Sequence, residues 1–215
     1  MQNKKIYIVL SQTGTWFSRI IKFFTKDPYN HASISLDKEL SQMYSFGRKK
    51  VNNPLRGGFV HESTDKGVFA KFQDTKAMVV CIDVSEEQFR KISEKLYDME
   101  QDPQKYKYNF RGLILGYMHL PSERRNRFYC SEFVKYMLEY GDVDGVEELP
   151  RFIKPMKLLK IEHTPIFTGN LQTYKRKVQR PTNIHIQPKA KYKVVKLNNS
   201  SATKFSGLCK KAIVD

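Results

Sequence analysis

Apolar positions along this chain recur with two different periods, and the changes between them mark out most of its elements. Residues 6–11, opened by the apolar run Ile6 to Leu10, alternate into a first strand that ends at Ser11-Gln12-Thr13-Gly14-Thr15. Trp16 to Phe24 has apolar residues at 16, 17, 20, 21, 23 and 24, the spacing of a short amphipathic helix, and Asp27-Pro28-Tyr29-Asn30 then turns the chain. His31 to Leu36 alternates strictly, with Ala32, Ile34 and Leu36 on one face and His31, Ser33 and Ser35 on the other. Asp37 to Leu40 makes a turn, and Gln42 to Gly47 returns as a second strand. Its register puts either Ser45 or Phe46 opposite His31. Residues 49–56 read as a basic loop, and Gly57 to Glu62 as the entry into another short strand. Residues 77–84 are the strongest strand signal, with Cys81 as one of its core residues. Ser85 and Gln88 form a capping box at the head of a helix that runs to Met99. Tyr108 to Leu120 is a helical or irregular apolar segment, Leu149 to Leu159 a loop with a short turn, and Glu162 to Leu171 a closing strand.

The segment around which the rest is organised is Arg127-Phe128-Tyr129-Cys130-Ser131-Glu132-Phe133-Val134. Apolar residues at 133, 134, 137 and 138 predict a helix from about Cys130 to Tyr140, closed by Gly141. Cys130 then lies on the first turn, where unpaired backbone N–H groups and the positive end of the helix dipole favour a thiolate. Arg124, Arg125 and Arg127 add positive charge just upstream. A cysteine placed this way is either a small buried apolar residue or a nucleophile. A nucleophile needs a base, and His31, at the head of its strand, is the candidate. Partners of this kind meet in space, so their distance in sequence is no objection. His61, His119, His163 and His185 have weaker contexts and read as solvent-facing or structural.

Composition narrows the class. At 215 residues and 40% hydrophobic, the chain can bury a core, and one domain with an appendage is the expectation. The net charge of +16 is uneven: residues 174–215 hold eleven Lys/Arg against one acidic residue. This divides the chain into a body over 1–175 and a basic appendage over 176–215. The first apolar run is too short to span a membrane and no small-residue cleavage site follows it, so a cytoplasmic protein is expected. Three widely spaced cysteines argue against a disulfide framework. With the histidines scattered, no structural zinc and no cofactor are expected.

Asn30 to Asp37, then Met43-Tyr44-Ser45-Phe46-Gly47-Arg48, then Phe128 to Val134 resemble the YiiX-like family, permuted papain-like cysteine hydrolases of the NlpC superfamily. Lecithin retinol acyltransferase is a distant relative of that family. The likeness covers roughly residues 4–174, with Ile153-Lys154-Pro155 and Ile166 to Leu171 resembling the closing segment. It implies an α+β fold of the permuted papain-like (NlpC) type, an antiparallel sheet or partial barrel packed on the cysteine helix. It also implies that Cys130 is the nucleophile and His31 the general base. The family's orienting group lies on the strand after the His strand. The matching position here is Ser45, a weaker orienter than the residues usual there, with Glu62 as the alternative. The Cys130 N–H is the natural oxyanion donor, with Gln12 or Tyr7 as side-chain additions. The implied chemistry is hydrolysis of an amide or ester, or acyl transfer, through a thioester, on a small-molecule, peptide or lipid acyl substrate. A rival reading keeps the fold without the activity. In it a weak or inactive domain serves as a binding module, and the basic tail contacts nucleic acid or an anionic membrane.

Overall fold

The computed structural model describes residues 3–13, 27–50, 53–118 and 125–179. In chain order the elements are β1 (Lys4–Gln12), β2 (His31–Ser35), β3 (Met43–Lys50), β4 (Asn53–Glu62), α1 (Gly67–Lys71), β5 (Lys76–Val84) and α2 (Glu86–Gln101). They continue with β6 (Lys107–Tyr108), α3 (Phe110–Tyr117), β7 (Arg127–Phe128), α4 (Cys130–Tyr140), 3-10 turns at Val146–Glu148 and Pro155–Lys160, β8 (Thr164–Asn170) and α5 (Leu171–Gln179). The expected helix over Trp16 to Phe24 and the basic tail lie outside the described residues.

The strands make one open eight-stranded sheet in the order β7-β6-β4-β3-β2-β1-β5-β8. Every neighbouring pair is antiparallel except β6 with β7. With its helices this is a mixed α+β architecture built on a mostly antiparallel sheet. β1 sits near the middle and is buried on both faces from Ile6 to Ser11, which explains why its sequence reads as an unbroken apolar run.

Alternation divides the strand side chains between two cores. Ile6, Ile8, Leu10, Ala32, Ile34, Tyr44, Phe46 and Phe59 face α2 and α4. Tyr7, Val9, Met43, Ala77, Val79 and Cys81 face the other way, under Phe69 of α1 and Leu171 and Tyr174 of α5. Packing more than capping holds α4 in place. Phe133, Val134, Met137 and Leu138 are fully buried, each contributing about 1.5–3 kcal/mol, against about 1 kcal/mol for an N-cap. The Phe133 ring lies 5.0 Å from Phe46 and 5.8 Å from Phe59, pinning the first turn of α4 against β3 and β4.

Two sequence expectations change here, and one helix was not expected at all. The basic loop expected over 49–56 is instead largely strand, with β3 running to Lys50 and β4 starting at Asn53, because the two strands pair from Met43–Glu62 to Lys50–Asn53. α1 escapes sequence detection because five residues are too few to show a period. α5 carries the chain across the expected boundary at 175/176, and the first compact unit extends to residue 181. The apolar residues of α5 (Leu171, Tyr174 and Val178) are few, and their spacing becomes meaningful only beside the second core. Among the described residues no helix is long and apolar enough to cross a membrane.

Candidate active site

Strand alternation places His31, Ser33 and Ser35 on the face of the second core, while α4 packs on the opposite face against Ala32 and Ile34. Cys130 and His31 meet because each is the first residue of its element: the thiol and the imidazole come together at the rim of the sheet. Cys130 is buried, and its Sγ lies 4.0 Å from the Asn30 carbonyl oxygen. The residues on either side of it grip the backbone of one residue, Ile153, from both of its peptide groups. The Tyr129 hydroxyl accepts a hydrogen bond from the Ile153 N–H at 3.2 Å, and Ser131 Oγ donates to the Ile153 carbonyl at 2.7 Å. Glu132, at the third position of α4, accepts from the Tyr129 N–H at 3.1 Å and so supplies one of the caps that a helix start requires.

The His31 imidazole donates from Nε2 to Glu62 Oε1 at 2.9 Å. Against a carboxylate Nε2 must carry the proton, so Nδ1 is the nitrogen left to serve the Cys130 thiol. The two side chains are 19% and 13% exposed, so the pair is shielded yet reachable from solvent. Burial is the largest single influence on His31 and opposes its charge. The Glu62 carboxylate and then Cys130 outweigh it, and the pKa is raised to about 10. Burial is also the largest influence on Glu62 and opposes ionisation. His31 and the hydroxyls of Ser33 and Ser45 overcome it, and the carboxyl is held below its ordinary range.

Of the two candidate orienters, Glu62 is the one in contact with the imidazole, and the assignment of Ser45 to that role is corrected. Ser45 Oγ is buried, has no partner of hydrogen-bonding geometry and faces the Glu62 carboxylate. Pairing explains the change. Ser45 stands opposite Val60 and Gly47 opposite Gly58, so Glu62 reaches from β4 over β3 across the small residues Ser45 and Gly47. Tyr7 is also corrected. Its side chain belongs to the second core with Val9, Cys81 and Tyr174, on the face away from α4. Gln12 follows Ser11, the cross-strand partner of His31, and alternation turns it to the α4 face at the same end of the sheet. The remaining described histidines stay structural. His61 stacks on Tyr44 and pairs with Glu100 at 3.2 Å, and His163 bonds the Ile161 carbonyl.

No family model, curated protein or solved structure matches this chain.

A Cβ at position 47 would lie 3.4 Å from Ser45 Oγ and 3.5 Å from Glu62 Oε1. Gly47→Ala is therefore expected to fold and to leave His31 oriented. Gly47→Val adds two methyls where the carboxylate passes, and overpacking of this kind costs about 1–3 kcal/mol. Alkylation of Cys130 in that variant is expected to slow about tenfold. Equal rates in the alanine and valine variants would show that Glu62 does not need the space.

The pair also sets a pH dependence of stability. His31 has its pKa raised from 6.5 to about 10, so its contribution is complete below 6.5 and is lost as pH rises through 10. Glu62 is depressed from 4.5, so its contribution is present above 4.5 and is lost as pH falls through the lowered value. The melting-temperature gap between wild type and Glu62→Gln is thus expected to be widest between 4.5 and 6.5 and to close towards 10. A gap of constant size across that range would contradict the pairing.

Proposed function

We propose that this chain is a cysteine-dependent acyl hydrolase or acyltransferase of the permuted papain-like type, working through a thioester on Cys130. The observation that carries the reading is the linear order of groups. The thiol at the start of α4 adjoins the imidazole of His31, whose far nitrogen bonds the buried Glu62 carboxylate. Chain order, with the His strand first and the Cys helix late, supports the permuted type.

In this reading the Cys130 sulfur attacks the carbonyl carbon of an amide or ester, and the carbonyl oxygen becomes an oxyanion. The Cys130 N–H, at the first helical position, and the Gln12 side chain stabilise that charge. His31, protonated and held by Glu62, delivers its Nδ1 proton to the departing amine or alkoxide, leaving a thioester. It then takes a proton from water or from an acceptor group, which attacks the thioester, and Cys130 leaves as the thiolate, restoring the starting pair. Glu62 stays ionised throughout, holding the ring in one orientation and stabilising its positive charge.

The test is to treat the protein with an activated ester such as p-nitrophenyl acetate and follow it by intact and peptide mass spectrometry. An acetyl adduct confined to Cys130, formed in a burst and absent from Cys130→Ala, is the expected result. Acetylation spread over surface lysines, with none on Cys130, would remove the reading.

A further inference from the structure

The Glu62 carboxylate has two oxygens, and they are held by different groups. Oε1 takes the His31 Nε2 proton at 2.9 Å, while Oε2 accepts from Ser33 Oγ at 2.5 Å. His31 and Ser33 are two positions apart on β2, so their side chains project from the same face about 7 Å apart. The carboxylate spans that gap like a two-pronged clamp, its plane fixed at both ends. Ser33 is fully buried on a strand whose other neighbour, β1, presents Val9 opposite it. With an apolar residue across the ladder, the shape of the core does not demand a hydroxyl at this position. Glu62 does, because a carboxylate with one oxygen unpartnered in a buried setting is free to swing out of line with the imidazole or to take up a proton.

We propose that Ser33 is a positioning residue for the His31–Glu62 pair, so that the working unit is Cys130–His31–Glu62–Ser33. The inference rests on the thiol chemistry proposed above. Ser33 touches neither substrate nor thiol; it acts through Glu62. Its donated hydrogen bond selects which carboxylate oxygen faces His31 and keeps that oxygen ionised. The groups facing Glu62 from the elements around it are His31 and Ser33 on β2, Ser45 on β3 and, beyond the imidazole, Cys130 on α4. His31 and Cys130 are the titratable members of that set. Glu62 loses a stabilising donor when Ser33 is removed, so the acid side of the pH–rate profile moves to higher pH.

The experiment compares wild type with Ser33→Ala, Ser33→Cys and Ser33→Thr in the full chain. It measures iodoacetamide labelling of Cys130 against pH by peptide mass spectrometry, with Cys81 as internal reference and urea midpoints as the folding control. Alanine, which has no donor, and cysteine, whose somewhat larger thiol is only a weak donor, are expected to slow labelling about tenfold and to raise the acid limb. Threonine, which keeps the hydroxyl, is expected to restore both. The inference is overturned by wild-type behaviour in Ser33→Ala. It is equally overturned by a loss that is the same in all three variants and tracks the urea midpoint, since that identifies packing. Failure of the underlying chemistry looks different: wild type itself would then label Cys130 no faster than Cys81 and with no dependence on His31.

Discussion

His31→Ala will slow alkylation of Cys130 by iodoacetamide at neutral pH by about 100-fold, the scale on which a positioned acid–base group acts. The attacking species is the thiolate, and the imidazolium beside it stabilises that charge. His31 is held in its charged form by Glu62 at 2.9 Å, so removing the ring removes both the charge and the proton acceptor. Cys81 provides the internal control. It lies in the second core, where burial raises its thiol pKa and the charges that act on it are those of Lys5, Asp83 and Lys38, not His31. Its labelling rate is expected to stay the same. An equal slowing at both cysteines would mean that the variant has altered the fold, and no slowing at Cys130 would separate His31 from the thiol altogether.

Glu62→Ala will have the largest effect on stability of any single change at the site. Removing one partner of a buried ion pair leaves the other charge unpaired, which costs about 3–5 kcal/mol. His31 escapes part of that cost by releasing its proton, because its raised pKa depends on the carboxylate. Ser33, with its acceptor gone, becomes a fully buried donor without a partner. Urea denaturation measures the loss, and the double variant Glu62→Ala/His31→Ala distinguishes the causes. If the unpaired charge dominates, the double variant recovers part of the stability lost in Glu62→Ala. If the two losses simply add, the pair is not coupled and its role in orienting the ring falls with it.

Local pattern was enough to read some of this chain directly. The spacing of Phe133, Val134, Met137 and Leu138 marks α4 from Cys130 to Tyr140, the bounds the structure shows, because a one-sided helix must present an apolar stripe to its core. The Ser85/Gln88 capping box is likewise a matter of two residues three positions apart and is formed as read, with hydrogen bonds of 3.2 and 2.8 Å. Burial of Cys81 follows from the apolar run around it. The positions of Cys130 at a helix start and His31 at a strand start are also properties of local sequence, as is the alternation that sets Ser33 on the face of His31.

Which groups those side chains meet was decided elsewhere. Ser45 is the matching polar residue on the strand after His31, and although a hydroxyl orients more weakly than a carboxylate, nothing in the sequence places Glu62 beside His31. The register of β3 on β4 turns its hydroxyl to the carboxylate, and the small surface of Ser45 and Gly47 lets Glu62 pass over. A shift of one residue in that register would exchange the faces and send Glu62 to the other core. Tyr7 fails as an oxyanion donor for a related reason: β1 is covered on both faces, and only the arrangement of layers shows which face carries α4. Sequence alone determined the bounds of α4 and the alternation of β2, because helical and strand periods are local properties of the chain. Tertiary structure decided the constellation, because contacts between Cys130, His31, Glu62 and Ser33 depend on strand order and register, which no single segment encodes.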